Sequence, residues 1–331
     1  MSLLISSIAH LLVDALCAAT LFGPVAGELP LLLLYNTLAF STQCLFALFT
    51  DRLRRYEWLM AASELAVVLG FLLPLPAALR VVLVGLGNSL FHLGGGTSIL
   101  LESRGKAWKL GVFVAPGALG LVIGRLFPDA GMFLAVLLCA CAGLAGYIGF
   151  TEVPPPRWVS KEPREARAPL WILLLPVLAV TVRAIGGTAV SFSWNTETLT
   201  MLSLTVFVFF GKLTGGFLCD RLGARRTALI SVPVAAVCVA FFAGSMPLSL
   251  LGQLLLNLSM PVTLFLLYRV LPDSPGLAFG LAASALWPGS LAATLFELTG
   301  PALWALVLLS FAFSLFAILK TDQYLREGKK L

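Results

Sequence analysis

Gly216–Arg226 reads G-F-L-C-D-R-L-G-A-R-R, a short basic turn between two long apolar runs. A shorter echo, A-L-F-T-D-R-L-R-R, occupies Ala47–Arg55, and its aspartate, Asp51, stands 169 residues before Asp220. The same interval lays Asp14 on Arg183, Glu28 on Glu197 and Asn88 on Asn257. The chain therefore reads as an internal repeat, with polar residues at matched positions inside apolar segments. Many secondary transporters are built from such repeats, with their sites near the bilayer midplane.

Composition sets the class. The chain is 59% hydrophobic and 11% charged, with a mean hydropathy of +0.98, whereas an average soluble domain is about 25% charged. Apolar stretches of roughly 17–25 residues can each cross a bilayer as a helix. The expected spans are 3–23, 29–50, 57–74, 77–101, 109–127, 130–150, 169–190, 198–218, 227–244, 248–269, 276–296 and 300–320. Only 23–28 separates the first two, and the last two meet around Thr299–Pro301, so ten spans is the alternative count.

The basic residues give an independent topology signal. Of 22 Lys and Arg, eighteen fall on one expected side, in 52–55, 104–109, 157–167, 221–226, at Arg269 and in 320–330. Arg80 and Arg125 fall on the other side, and Arg183 and Lys212 lie within spans. Cytoplasmic loops hold the excess of positive charge. The expectation is a multi-pass protein of the cell inner (cytoplasmic) membrane, with both termini cytoplasmic. The net charge of +6 is then a topology signal, not a nucleic-acid surface, because the basic residues are divided among short loops and a tail.

The start, M-S-L-L-I-S-S-I-A-H, lacks the positive n-region of a signal peptide, so the first apolar run is expected to be retained. All six cysteines lie inside or at the ends of spans, with neither a disulfide framework nor zinc spacing. The one long hydrophilic segment, 151–168, is proline-rich and charged and suits a semi-flexible tether. It divides the chain into an N-terminal six-helix bundle (1–150), a cytoplasmic linker (151–168), and a C-terminal six-helix bundle with a short tail (169–331).

The pattern G-x-L-x-D-R-x-G-x-R-R between spans 8 and 9, with its partial copy between spans 2 and 3, resembles the major facilitator superfamily. The partial copy has Ala47 for the leading glycine and Phe49 for the leucine, and lacks the glycine after the aspartate. The resemblance implies an all-α fold of twelve transmembrane helices in two six-helix bundles, with a gating motif at the cytoplasmic face. Here that motif comprises Asp51, Arg52, Gly216, Asp220, Arg221, Gly223, Arg225 and Arg226. A carboxylate near such a turn can hold helix N-termini or arginines. Within the superfamily, His10-x3-Asp14, Gln43, G-L-G-N-S-L-F-H at Gly85–His92 and the lone Arg183 are similar to the fosmidomycin-resistance-type branch. Leu93 and Cys44 stand where that branch tends to have proline. G-V-F-V-A-P-G at Gly111–Gly117 resembles the antiporter glycine-proline motif, with Ala115 in place of a glycine.

Charges near mid-bilayer usually face a cavity or a partner, and the resemblance implies that helices 1, 4, 7 and 10 line the cavity. Asp14, Asn88, His92, Arg183 and Asn257, selected by depth alone, all fall on those four spans. Arg183, Asn88, His92, Asn257 and Asn36 are the expected substrate-binding residues. Asp14, His10 and Glu64 are the expected proton carriers. His10 and Asp14 share a helix face, as do Asn88 and His92. Asp14 and Arg183 occupy equivalent repeat positions, and two roles stay open: a salt bridge between bundles, or an anion-binding Arg183 beside a proton-carrying Asp14. Lys212 is expected to snorkel to the cytoplasmic interface.

The function expected is secondary active transport by alternating access, in the specific form of proton-coupled export of a small, anionic compound or drug. Uptake of a small metabolite is the alternative, since motifs do not fix direction. The partners are a small-molecule substrate, protons and the lipid bilayer, with no nucleic acid, for a monomer without cofactor or metal. Two rivals from other classes have weaker support. An intramembrane enzyme lacks H-E-x-x-H or a G-x-S-x-G triad, and a non-transporting sensor or scaffold predicts no mid-span charges.

Overall fold

The structure is a computed structural model that describes residues 3–53, 55–151, 168–295 and 298–328, without the side chain of Thr294. Among the described residues there are only helices, turns and irregular connections. In chain order the long helices are α1 (Leu3–Phe22), α2 (Leu29–Thr50), α3 (Tyr56–Leu72), α4 (Ala77–Glu102), α5 (Trp108–Leu126), α6 (Gly131–Thr151), α7 (Leu170–Thr188), α8 (Thr198–Leu222), α9 (Ala224–Phe241), α10 (Met246–Val270), α11 (Pro275–Ser284 continuing as Leu286–Leu295) and α12 (Gly300–Glu327). Eleven of these segments have at least 18 residues and are apolar enough to cross a membrane. The twelfth, α3, has 17 residues, at the lower bound for a bilayer core of about 30 Å. The ten-span alternative falls: a turn over 23–28 separates α1 from α2, and α11 and α12 are distinct segments. Most of the tether at 151–168 lies outside the described residues.

Many hydroxyls of these helices are satisfied in the manner a bilayer demands, Thr97, Tyr268 and Ser314 being buried exceptions. With no water in the hydrocarbon, each hydroxyl must find a local acceptor. Ser7 donates to the Leu3 carbonyl, Thr20 to Leu16, Thr50 to Phe46, Ser231 to Thr227 and Thr321 to Ala317. Outward faces are apolar instead: Phe133, Val136 and Phe150 on α6 and Ile230, Val234 and Val237 on α9 are exposed.

Buried apolar side chains fall into two clusters. One draws on 9–148 together with Leu264, Leu267, Tyr268, Ala278 and Phe279. The other draws on 172–325 and borrows Ala107. The two halves meet where α5 packs on α8 and where α2 packs on α11. Small residues allow close approach without hydrophobic driving force. A Cβ on Gly111 would stand 2.7 Å from the Lys212 carbonyl oxygen, and one on Gly216 would stand 2.5 Å from that of Ala107. At the other contact both helices are irregular. α2 carries a π turn at Thr37–Ser41, and α11 breaks at Ala285. Ser284 spans the two: its hydroxyl donates to the Phe40 carbonyl at 2.9 Å and accepts from the Cys44 N–H at 3.0 Å. The hydroxyl of the neighbouring helix thereby stands between a carbonyl and an N–H four residues apart in α2.

Candidate functional site

Four of the expected residues converge in the first half. Asp14 on α1 accepts a hydrogen bond from the Asn88 amide of α4 at 3.0 Å. His10, one helical turn earlier, places Nε2 3.3 Å from Asp14 Oδ2, and His92 places Nε2 3.8 Å from Asp14 Oδ1. The two imidazoles meet edge to face with Nε2 atoms 2.9 Å apart. Each ring is held by its other nitrogen: His10 Nδ1 lies 2.7 Å from the Phe113 carbonyl oxygen of α5, and His92 Nδ1 lies 2.9 Å from that of Asn88. A carbonyl oxygen only accepts, so both Nδ1 atoms are the protonated ones. His92, expected as a substrate contact, thus belongs to the same group as the expected proton carriers Asp14 and His10. The i, i+4 pairs legible in the sequence bring these side chains to one face of each helix. The part played by the Phe113 carbonyl was not legible, because a backbone acceptor leaves no mark in side-chain identity.

In the second half Arg183 of α7 is 5% exposed. Its guanidinium donates to the Ser259 hydroxyl at 2.8 Å, to the Ser259 carbonyl at 3.2 Å and to the Thr263 hydroxyl at 3.3 Å, all on α10. Among the described residues no acid pairs with it, and no ion pair joins it to Asp14. The two repeat-equivalent charges are each satisfied within their own half, so the interbundle salt bridge is absent. Ser259 and Thr263 were missed because isolated hydroxyls on an apolar helix look like ordinary back-bonding residues. Their four-residue spacing opposite an arginine was the available signal.

The other expected residues stand apart. Asn36 and Asn257 each turn their amide back on their own helix, to the Leu32 and Gln253 carbonyls. Glu64 on α3 is fully buried, with both carboxyl oxygens lacking a hydrogen-bond partner. Lys212 lies half-buried on α8.

The two repeat turns build matching clasps between the halves. Asp220 Oδ1 accepts from the Ala107 N–H at 2.7 Å, and Oδ2 from the Trp108 N–H at 2.9 Å, at the start of α5. Asp51 Oδ1 accepts from the Gly276 N–H at 2.6 Å, and Oδ2 from the Leu277 N–H at 3.0 Å, at the start of α11. Each carboxylate therefore occupies two of the orphan donors, and the positive dipole end, of a helix from the opposite half. Both aspartates hold helix N-termini, and Arg52, Arg221, Arg225 and Arg226 are exposed. Gly223 has φ of +83° and ψ of 157° in the turn between α8 and α9, a region essentially confined to glycine that costs an L-residue about 1–3 kcal/mol. Gly216 brings α8 against the Ala107 backbone. In the partial copy Ala47 fills the equivalent position, and the clearance comes from the partner helix. A Cβ on Gly276 would meet Asp51 Oδ1 at 2.8 Å, and one on Gly280 would meet the Gln43 carbonyl at 2.7 Å.

Set beside known proteins, this architecture is that of the major facilitator fold. The structure superposes on an MFS transporter, FucP, in the outward conformation with a TM-score of 0.72 at 14% identity, covering 96% of this chain and 97% of that one. A single-residue variant of the Escherichia coli fucose:proton symporter FucP matches over the same shares with a TM-score of 0.67 at 14% identity. A bacterial homologue of the iron transporter ferroportin, in an outward-facing state, matches over 100% of both chains with a TM-score of 0.60 at 15% identity. No family model matches the sequence. No curated protein matches it either. The chain is thus a multi-pass membrane protein with the major facilitator fold.

Proposed function

We propose that this protein is a secondary transporter working by alternating access, in which the halves 1–150 and 169–331 rock about a site between the Asp14 and Arg183 groups, and that it exports a small anionic compound in exchange for protons. The observation that carries this reading is Arg183. A guanidinium keeps its charge at any physiological pH, and a charge inside a bilayer is costly without compensation. Arg183 is held by neutral acceptors alone, so the missing countercharge is assigned to the substrate. The clasps at Asp51 and Asp220 close one face of the molecule, and alternating access requires that they break and re-form. The positive charge of the turns supports a cytoplasmic position for that face in the inner membrane, with both termini on the same side. Of the expected proton carriers, Glu64 is the one with both oxygens unpartnered, and we assign the proton path to it. A single chain holds both halves and both charged groups, which supports action as a monomer and carrier chemistry without an enzymatic step.

The test uses sealed vesicles containing the purified protein, with and without an imposed proton gradient, challenged with panels of anionic, neutral and cationic compounds. Gradient-dependent movement of an anion is expected, weakened in Arg183→Lys because the planar fork that suits carboxylate and phosphonate groups is lost. Movement confined to cations, or an Arg183→Lys variant indistinguishable from the parent, would sink the anion reading.

A further inference from the structure

We infer that His10, Asp14 and His92 form a binding site for a divalent transition-metal ion. The starting point is a conflict in the bare cluster. Both Nδ1 atoms donate to carbonyl oxygens, so with both rings neutral both Nε2 atoms carry lone pairs, and these face each other at 2.9 Å. Two lone pairs at that distance repel unless a cation lies between them. The donor geometry suits a metal. Tetrahedral bonds of about 2.0–2.1 Å to nitrogen or oxygen set donor–donor separations near ~3.3 Å, and the observed separations are 2.9, 3.3 and 3.8 Å. All three ligand atoms lie within 4.8 Å of one another. Two imidazoles and one carboxylate are a borderline donor set that suits zinc, iron(II) or cobalt(II).

The surroundings are those of a metal site. Ligating histidines usually donate their second N–H to a carbonyl or carboxylate, which fixes tautomer and ring orientation. The Phe113 and Asn88 carbonyls do this here, while the Asn88 amide orients Asp14. Space is kept by Gly117 of α5, where a Cβ would stand 2.4 Å from His10 Nε2 and 2.5 Å from Asp14 Oδ2. Any larger residue would occupy the position beside the two donor atoms. Three protein ligands leave a coordination position for water or a small ligand.

The full-length protein in detergent, stripped with a chelator, is titrated with Co2+, whose visible d–d bands report N/O coordination, and then challenged with Zn2+. One Co2+ per chain is expected, displaced by Zn2+. His92→Ala should abolish the bands. Gly117→Ala should abolish or strongly weaken them with every ligand still present. Asn88→Ala, which loses only the bond that orients Asp14, should weaken binding by about 10–100-fold. Each variant is first checked for monodisperse elution, and the milder Asn88→Ala serves where the others do not fold. Absence of Co2+ and Zn2+ binding by the parent overturns the assignment and leaves a proton shared between the rings as the occupant. Binding that persists unchanged in His92→Ala and Asn88→Ala overturns it as well. The measurement involves no transport, so its failure and a failure of the Arg183 reading are distinguishable.

Discussion

The two halves of this repeat began from matching positions and hold opposite charges in different ways. In the first half a carboxylate is surrounded by two histidines and an amide, all from α1 and α4, with α5 supplying a carbonyl and a glycine. In the second half a guanidinium is held by two hydroxyls and a carbonyl of a single helix, α10. The first group is rich in lone pairs and invites a cation. The second has donors to spare and no acid, which invites an anion. Repeat symmetry put ionisable residues at equivalent depths, yet each is hydrogen-bonded within its own half, the guanidinium by neutral acceptors among the described residues. A central site flanked by two self-contained groups can separate and rejoin its halves without breaking an ion pair.

That difference is most sharply broken by exchanging the charges. An interbundle salt bridge predicts that Asp14→Arg with Arg183→Asp recovers function. The structure predicts the reverse: an arginine placed beside two histidines and an aspartate placed beside hydroxyls each lose their partners. Each buried charge then costs about 2.5–3.5 kcal/mol or more, and the double variant should lose transport and melt well below the parent. Recovery in sealed vesicles would restore the salt-bridge reading.

The clasps come next. Asp220→Asn and Asp51→Asn each weaken the charge-assisted cap of a helix from the opposite half, at about 0.5–2 kcal/mol per cap. Because the two capping geometries match, the two substitutions should shift the equilibrium by similar amounts, even though only one lies in a complete motif. Cys219, buried beside Asp220, is the reporter: alkylation by a maleimide should speed up in either variant. Acceleration in Asp220→Asn alone would show that the partial copy is vestigial.

A smaller effect is expected at the guanidinium. Ser259→Ala removes the shortest of its three acceptors but leaves the Ser259 carbonyl and Thr263 in place. A hydrogen bond to a charged group is worth about 1.5–3 kcal/mol, and one to a neutral group less. Transport should fall several-fold, with the loss larger for anions than for neutral compounds. Equal loss across the panel would place Arg183 in a purely packing role. The smallest effect on transport is expected at the turn itself: Gly223→Ala should cost about 1–3 kcal/mol in stability, read as a fall in melting temperature, because only the turn conformation is strained.

Sequence pattern carried the helices well. The expected spans match the observed ones to within a few residues at most ends, because apolar runs bounded by charged turns leave little freedom in a bilayer. The larger discrepancies lie at polar ends: α12 extends to Glu327 beyond the expected 320, and α8 to Leu222 beyond 218, since helices project past the hydrocarbon. The π turn in α2 was not legible: no proline stands in it. It pairs with the break in α11 across a helix interface through Ser284. That break follows Ser284, four residues ahead of Pro288, whose missing N–H and ring disfavour the bond to the Ser284 carbonyl, a signal the sequence did carry.

What the sequence by itself determined was the number and length of the helices, the charged turns and the depth of each polar residue. These follow from one-dimensional properties: apolar length, charge placement and helical period. Tertiary structure alone decided which of those residues meet. His92 turned toward His10 and Asp14 because the Phe113 and Asn88 carbonyls orient the rings and Gly117 clears the space. Arg183 turned to α10 because two hydroxyls and a carbonyl stood within reach there. The aspartates of the repeat found helix N-termini because backbone donors at a helix start are already fixed in direction. Such choices depend on backbone groups and on clearances between helices, and neither is written in the identity of the residue that makes the bond.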